Sequence, residues 1–384
     1  MKFKFNKIYI DSAASEDEIT KNVLSEYADV PREFIQDVRR LSDTLTPLTI
    51  SEGKKILWLT HFKGKFLKPC PGTAVSYLCC NYLVINEATN CPIDCTYCIL
   101  QDYINNPVMT VYTNVDQIIT ELRSLSRVNP NRILRVGTGE LTDSLALDPV
   151  TGLSKKLIYN LRFFPQILLE LKTKTDHVDH LLNELPSRVV FSWSVNPQTF
   201  IKLDERKSSS LRRRLEAAKK AMDAGFLIGL HFDPIVYSAK GIDSYIQLID
   251  FISTYLDENR VAWISLGSLR FPPSLKPVIQ TRFPESKILT GESISGKDGK
   301  TRYIKPLRIR LYKEIVNSLR KKWDQVFVYF CMESRDIWEK VLHLRPEENL
   351  EVDWLFARSL YDRFPELQLP KPERPIYNQP IQFG

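Results

Sequence analysis

The chain has 384 residues, 43% of them hydrophobic and 26% charged, with 53 Lys/Arg against 46 Asp/Glu for a net charge of +7. That balance excludes a disordered polyelectrolyte and leaves room for one large domain with appendages, or for two. No apolar run approaches the ~20 residues of a membrane span, and the opening MKFKFNKIYIDSAASEDE lacks the apolar stretch of a signal peptide. A cytoplasmic protein is expected, in which clustered cysteines point to metal or redox chemistry over disulfides.

In chain order, the first residues read as a short strand and a polar turn, and residues 1–80 as an N-terminal extension packed on the core of the protein. From residue 81 onward strand-like and helix-like runs alternate. The strands are YLVIN (82–86), ILRVG (133–137), ILLELK (167–172), RVVFSWS (188–194), FLIGLHF (226–232), VAWISL (261–266) and QVFVYF (325–330). Between them lie amphipathic patterns such as VDQIITELRSL, LRRRLEAAKKAMDAG and DSYIQLIDFISTYL. Strands separated by crossover helices imply an α/β fold with a parallel sheet and helices outside, either open or curled into a full or partial barrel. Functional groups in such folds gather at the carboxyl ends of the strands. On this reading 81–270 is the core and 271–345 a C-terminal part. Its segment 290–305, around KDGK, is a hairpin before the last strand, and 346–384 is a helix with a proline-rich tail extended on the surface.

The run CPIDCTYC comes directly after the first of these strands, so Cys91, Cys95 and Cys98 sit on a loop at its carboxyl end. Three thiolates spaced CxxxCxxC can hold three irons of a [4Fe–4S] cluster and leave the fourth open to a substrate or cofactor. A zinc site that takes a fourth ligand from Cys70, Cys79 or Cys80 is the alternative. The spacing, the aromatic Tyr97 before the last cysteine and the alternating elements downstream resemble radical S-adenosylmethionine (SAM) enzymes. In those, the amino and carboxylate groups of SAM chelate the open iron, and an electron from the cluster releases a 5′-deoxyadenosyl radical.

The stretch YLVINEATNCPIDCTYCILQDYINNPVMTVYTNVDQI resembles the cluster region of the spore photoproduct lyase family. The likeness continues through LTDSLALD (141–148), FSWSVNPQ (191–198), SSLRRRLEAAKKAMDAGFLIGLHFDPI (209–235) and TRFPESKI (281–288). It implies a partial (β/α)6 TIM-type barrel of the radical SAM type, a DNA-wedging hairpin, and a monomeric DNA repair lyase. It also implies a [4Fe–4S] cluster on Cys91, Cys95 and Cys98, with SAM as cofactor and an external electron donor of the flavodoxin or ferredoxin type. By the same likeness Tyr97, Ser194, Asn196 and one of Lys172 or Lys174 contact SAM. Glu140, in VGTGELTD, stands where the family carries its hydrogen-donor cysteine, and Ile99 where it carries a tyrosine. GTGE is similar instead to the Gly-Gly-Glu stretch of many radical SAM enzymes, so Glu140, with Thr142 beside it, is expected to meet the SAM ammonium. An acid/base role for Glu140 is the alternative. Cys331, at the end of the last strand, is then the candidate hydrogen donor, whereas His231 either faces the site or packs.

The segment 297–322 carries ten Lys/Arg against Asp298 and Glu314, and 202–220 is a second basic run. Arg212, Arg213, Lys297, Lys300, Arg302, Tyr303 and Lys305 are therefore expected to face a phosphate backbone, solvated helix faces being the alternative. The expected substrate is damaged double-stranded DNA with a modified pyrimidine taken out of the stack. With the family's donor cysteine absent, the expected lesion is one other than the spore photoproduct. The competing expectations are a radical SAM enzyme for RNA, a peptide or a small molecule, and a binding module whose cluster is structural.

Overall fold

The computed structural model describes residues 2–72, 76–237 and 242–384. The first part of the chain supplies β1 (Lys7–Asp11), β2 (Arg32–Ile35), β3 (Ile56–Thr60), β4 (Leu67–Pro69), β5 (Leu83–Ile85), β6 (Ala88–Thr89), β7 (Asp94–Cys95) and β8 (Met109–Tyr112). The middle supplies β9 (Leu134–Thr138), β10 (Ile167–Thr173), β11 (Val189–Ser194), β12 (Glu205–Arg206), β13 (Leu227–Ile235) and β14 (Val261–Ser268). Three short strands, β15 (Arg270–Phe271), β16 (Ser293–Ser295) and β17 (Thr301–Tyr303), precede β18 (Phe327–Phe330).

The main sheet has the order β18-β14-β13-β11-β10-β9-β5-β4. It is parallel from β5 to β18, with β4 antiparallel at the edge. Its strands read as nearly continuous apolar runs because both faces are covered, and every residue of β14 is buried. Helices Asp116–Val128, Leu153–Asn160, Leu211–Asp223, Asp243–Ser253 and Lys305–Lys322 lie between successive strands in the chain. Helix Leu211–Asp223 shows how the pattern works: Leu211, Leu215 and Ala218 make one buried stripe, and Ser210 caps the first turn by accepting from the Arg213 amide. An isolated antiparallel bridge between Leu78 and Glu333 joins the two edges of the sheet, which therefore curls toward closure. The carboxyl ends of its strands converge on one mouth.

Residues 1–80 do not stand apart from the core. β1, β2 and β3 form a parallel sheet with β8, in the order β2-β1-β3-β8-β6, and Leu57 pairs with Met109 beyond the cysteine motif. The tail is also more than a surface strap. Tyr377 is buried, its hydroxyl accepts from the Ile133 amide at 3.0 Å, and the Arg132 guanidinium lies 4.8 Å from its ring. The 290–305 segment is a hairpin as expected, with Ser293 opposite Tyr303 and β15 added on the other side of β17. No described helix is long and apolar enough to cross a membrane.

Candidate active site

The cysteine loop leaves β6 through Asn90, held in the left-handed region at φ 68°, whose side chain accepts from the Cys91 amide at 2.8 Å and donates to the Pro107 carbonyl at 2.5 Å. β7 pairs with β12, and Thr96 bonds Asp204 through both its amide (2.9 Å) and its hydroxyl (2.8 Å). The Gln101 side-chain amide donates to the carbonyls of Cys95, Thr96 and Cys98. These bonds replace the regular backbone pairing that a loop lacks, and they fix three thiols on one side of it. Burial pushes the Cys91 thiol up to about 12 and Cys95 well above its ordinary value.

Cys91, Cys95 and Cys98 line one cavity together with Tyr97, Ile99, Glu140, Thr142, Lys172, Lys174 and Ser194. Two glycines stand on β9 and the turn after it, Gly139 in the cavity wall. A side chain on Gly137 would strike the Tyr82 hydroxyl, and Gly139, at φ +93°, turns the chain so that Glu140 reaches the cavity. The Glu140 carboxylate has no hydrogen-bond or ion-pair partner among the described residues. Lys174 Nζ lies 3.2 Å from Ser194 Oγ and 5.8 Å from the Tyr97 ring centre. Lys172, near the carboxyl end of β10, lines the cavity as well, and its charge also bears on His231 and Asp233. Asp143, unforeseen from sequence, ties the wall together by accepting from the Thr173 hydroxyl and the Lys174 amide, both at 2.7 Å. The donor set suits both groups that the motif implies: three thiols for iron, and a carboxylate facing an ammonium.

Asn196 departs from expectation. It is fully buried, it does not line the cavity, and its amide is taken by Glu205 and the Tyr245 hydroxyl. The Tyr97 hydroxyl donates to Glu205 too, and the ring stacks on Phe200 at 5.8 Å. His231 packs inside the barrel, 2.8 Å from a Glu170 oxygen, and burial lowers it to about 4, so it is neutral.

Cys331 follows β18 directly, at the mouth. Its sulfur lies 3.1 Å from the Arg270 guanidinium, which also holds Asp233 at 3.1 Å. Burial pushes the Cys331 thiol up to about 12, against the pull of Arg270. Cys70, Cys79 and Cys80 gather at the same seam. Cys79 shares hydrogen bonds with both neighbours, and Cys80, 3.5 Å from Arg135, is brought down to about 7 by the Cys79 bond first and Arg135 second. They stand apart from the CPIDCTYC cavity and none of them lines it, so it takes no fourth thiol from them.

The basic residues divide. Arg302 and Tyr303 do not face solvent: Arg302 is 1% exposed, paired with Asp298, bonded to the Met332 carbonyl and stacked on Tyr77 at 3.9 Å. Tyr303 is 2% exposed and its hydroxyl accepts from the Tyr237 amide. They root the hairpin in the barrel, because β17 is its inner strand. Lys300 is half-buried, with its ammonium 4.0 Å from the Met332 sulfur. Arg212, Arg213, Lys297 and Lys305 are exposed, although Arg213 pairs with Asp176 and Lys305 with Asp336. Arg214, next to Arg213 in the same run, turns fully inward to Glu205.

A curled parallel sheet with three thiols at its first carboxyl end is the architecture of a radical SAM protein. The family model for spore photoproduct lyase matches residues 76–332, and the chain belongs to that family. It is similar to the spore photoproduct lyases of Geobacillus sp. (strain Y412MC61), 30% identical over 210 residues, and Bacillus subtilis (strain 168), 28% identical over 205. These alignments cover 54% and 52% of this chain and 62% and 60% of the relatives, so the chain spans about three fifths of their length. A solved spore photoproduct lyase variant with bound AdoMet and dinucleoside spore photoproduct shares the fold, with a TM-score of 0.76 at 22% identity over 86% of this chain and all of that one.

Proposed function

We propose that the chain is a radical SAM lyase that acts on damaged double-stranded DNA and reverses a pyrimidine lesion or adduct other than the spore photoproduct. The observation that carries the reading is the convergence of Cys91, Cys95 and Cys98 on one cavity with a Glu140 carboxylate that no described residue satisfies. A [4Fe–4S] cluster held by Cys91, Cys95 and Cys98, together with SAM, would supply a 5′-deoxyadenosyl radical. Glu140 accepts hydrogen bonds from the SAM ammonium, Thr142, Lys174 and Ser194 bind its remaining polar groups, and Tyr97 walls the site. Cys331 holds the hydrogen atom returned to the substrate at its Sγ, and Arg270 turns toward the sulfur lone pairs and leaves the S–H free. Glu140 and Ile99, at positions where the family carries its donor cysteine and tyrosine, support a different lesion.

A second reading, a radical SAM enzyme for RNA, a peptide or a small molecule, is favoured by one observation. Many cations of the two basic runs are already held in ion pairs, among them Arg213, Lys219, Lys220, Lys305 and Lys322. The deciding experiment is anaerobic reconstitution with iron and sulfide, then 5′-deoxyadenosine release from SAM and dithionite with a panel of damaged duplexes. Release that rises with one lesion supports the first reading; release indifferent to every DNA supports the second. A cluster with no release at all overturns both.

A further inference from the structure

Asp94, inside the cysteine motif, does not line the cavity, yet two cations from distant parts of the chain converge on it. Lys54 comes directly after the short helix Ile50–Gly53, and its side chain is 3% exposed. Its ammonium donates to the Ile93 carbonyl at 2.5 Å and to Asp94 at 2.9 Å. Arg282, the last residue of helix Leu275–Arg282, donates to Asp94 at 3.1 Å and to the Gln101 side chain, which in turn holds the carbonyls of Cys95, Thr96 and Cys98. The approach of Lys54 is built into the backbone. A Cβ on Gly53 would sit 2.2 Å from the Pro107 carbonyl oxygen, the atom that also anchors Asn90 beside Cys91.

We propose that Lys54 and Asp94 are positioning residues of the cysteine loop whose opposite charges set the reduction potential of the cluster it holds, an inference that rests on Cys91, Cys95 and Cys98 being its ligands. Reduction adds a negative charge to the cluster, so a buried cation nearby favours the reduced form and a carboxylate disfavours it. Partners behind metal ligands also govern retention, and removing one typically costs about 10–100-fold in metal affinity.

The test uses the full chain, reconstituted without oxygen, as wild type, Lys54→Met, Lys54→Arg and Asp94→Asn. Iron and acid-labile sulfide per chain are measured, and the potential is read by spectroscopically monitored redox titration. Lys54→Met is expected to move the potential negative and Asp94→Asn to move it positive, with Lys54→Arg returning toward wild type and both charge-removing variants losing iron faster on dilution. A merely structural pair would give shifts of the same sign, because both variants break the same contact. Shifts of one sign, or none with full iron content, overturn the proposal. If Lys54→Met does not fold, Asp94→Asn decides alone, since it keeps the lysine bond to the Ile93 carbonyl: a positive shift supports the proposal and any other result overturns it. A wild-type chain that takes up no cluster overturns the ligand reading itself, an outcome distinct from the others.

Discussion

The Arg214 guanidinium lies 2.6 Å from the Glu205 carboxylate with both side chains fully buried, and the same carboxylate accepts the Tyr97 hydroxyl. A residue from a surface-looking basic run thus supports Tyr97, in the lining of the cysteine cavity, from behind. Removing one partner of a buried pair leaves the other charge uncompensated, at a cost of about 3–5 kcal/mol. Arg214→Leu is expected to lose that much in urea unfolding, whereas the exposed Arg212→Ala changes stability by less than about 0.5 kcal/mol. Equal effects would show that Glu205 finds another partner.

The hairpin makes the opposite separation. Lys297 is exposed and Arg302 buried. Lys297→Ala is expected to weaken binding to damaged duplex and to lower the slope of log affinity against log salt by about 1. Arg302→Ala should unseat the hairpin, seen as faster proteolysis between β16 and β17 and a lower melting temperature. A wild-type affinity with no salt dependence would favour the non-DNA substrates.

Glu140 and Cys331 are expected to fail at different stages. If Glu140 holds the SAM ammonium, Glu140→Gln is expected to remove a charge-assisted bond worth about 1.5–3 kcal/mol, or roughly 10–100-fold in SAM affinity. Its measurement is SAM titration of the reconstituted protein. Cys331→Ser should leave SAM binding and 5′-deoxyadenosine release in place while repaired product is lost. Product at the wild-type rate from that variant would move the donor elsewhere, with Cys80 at the same seam the next residue to substitute.

Glu87, buried just before the cysteine motif, carries a carboxyl that burial raises from 4.5 to about 8, with Asp148 and Asp143 adding to the effect. Its folded value lies above its unfolded value. Its contribution is therefore fully present below pH 4.5 and is lost as pH rises toward about 8, at up to about 1.4 kcal/mol per unit. Glu87→Gln is expected to remove that loss. The variant should unfold at a higher temperature than wild type at pH 8, with the gap closing by pH 5. A constant gap across that range would mean the carboxyl is ionised in the fold.

The barrel was legible because its strands are apolar runs of the right length between amphipathic helices, and the cysteine loop because three thiols at fixed spacing come directly after the first of them. Lys172, Lys174 and Ser194 came from the family resemblance, and they do line the cysteine cavity. What sequence could not show is which way a charge points. Arg214 and Arg212 are two residues apart in one basic run, yet one is fully buried and the other exposed, and only the helical phase of Leu211–Asp223 separates them. Asp143 and Lys54 carried no local signal, because their partners lie some thirty to forty residues further along the chain, and Glu205 joins Arg214 nearby to Tyr97 far away. Asn196 sat in a matching motif, but its amide is committed to Tyr245 and Glu205. The pairing of β3 with β8 was hidden for a related reason: the four residues of β8 lie within the stretch that carries the cysteine motif, and their partner is some fifty residues earlier in the chain.

Arg302 bonds the carbonyl of Met332, the residue next to Cys331, and its own hairpin projects Ile294, 52% exposed, on the outer strand. The hairpin is a lever with its fulcrum beside the candidate hydrogen donor. A load taken at the tip would reach the backbone beside the thiol through the ion-paired Arg302 root. Prying open a duplex and bringing a sulfur to the extruded base would then be one stroke of the same mechanical part.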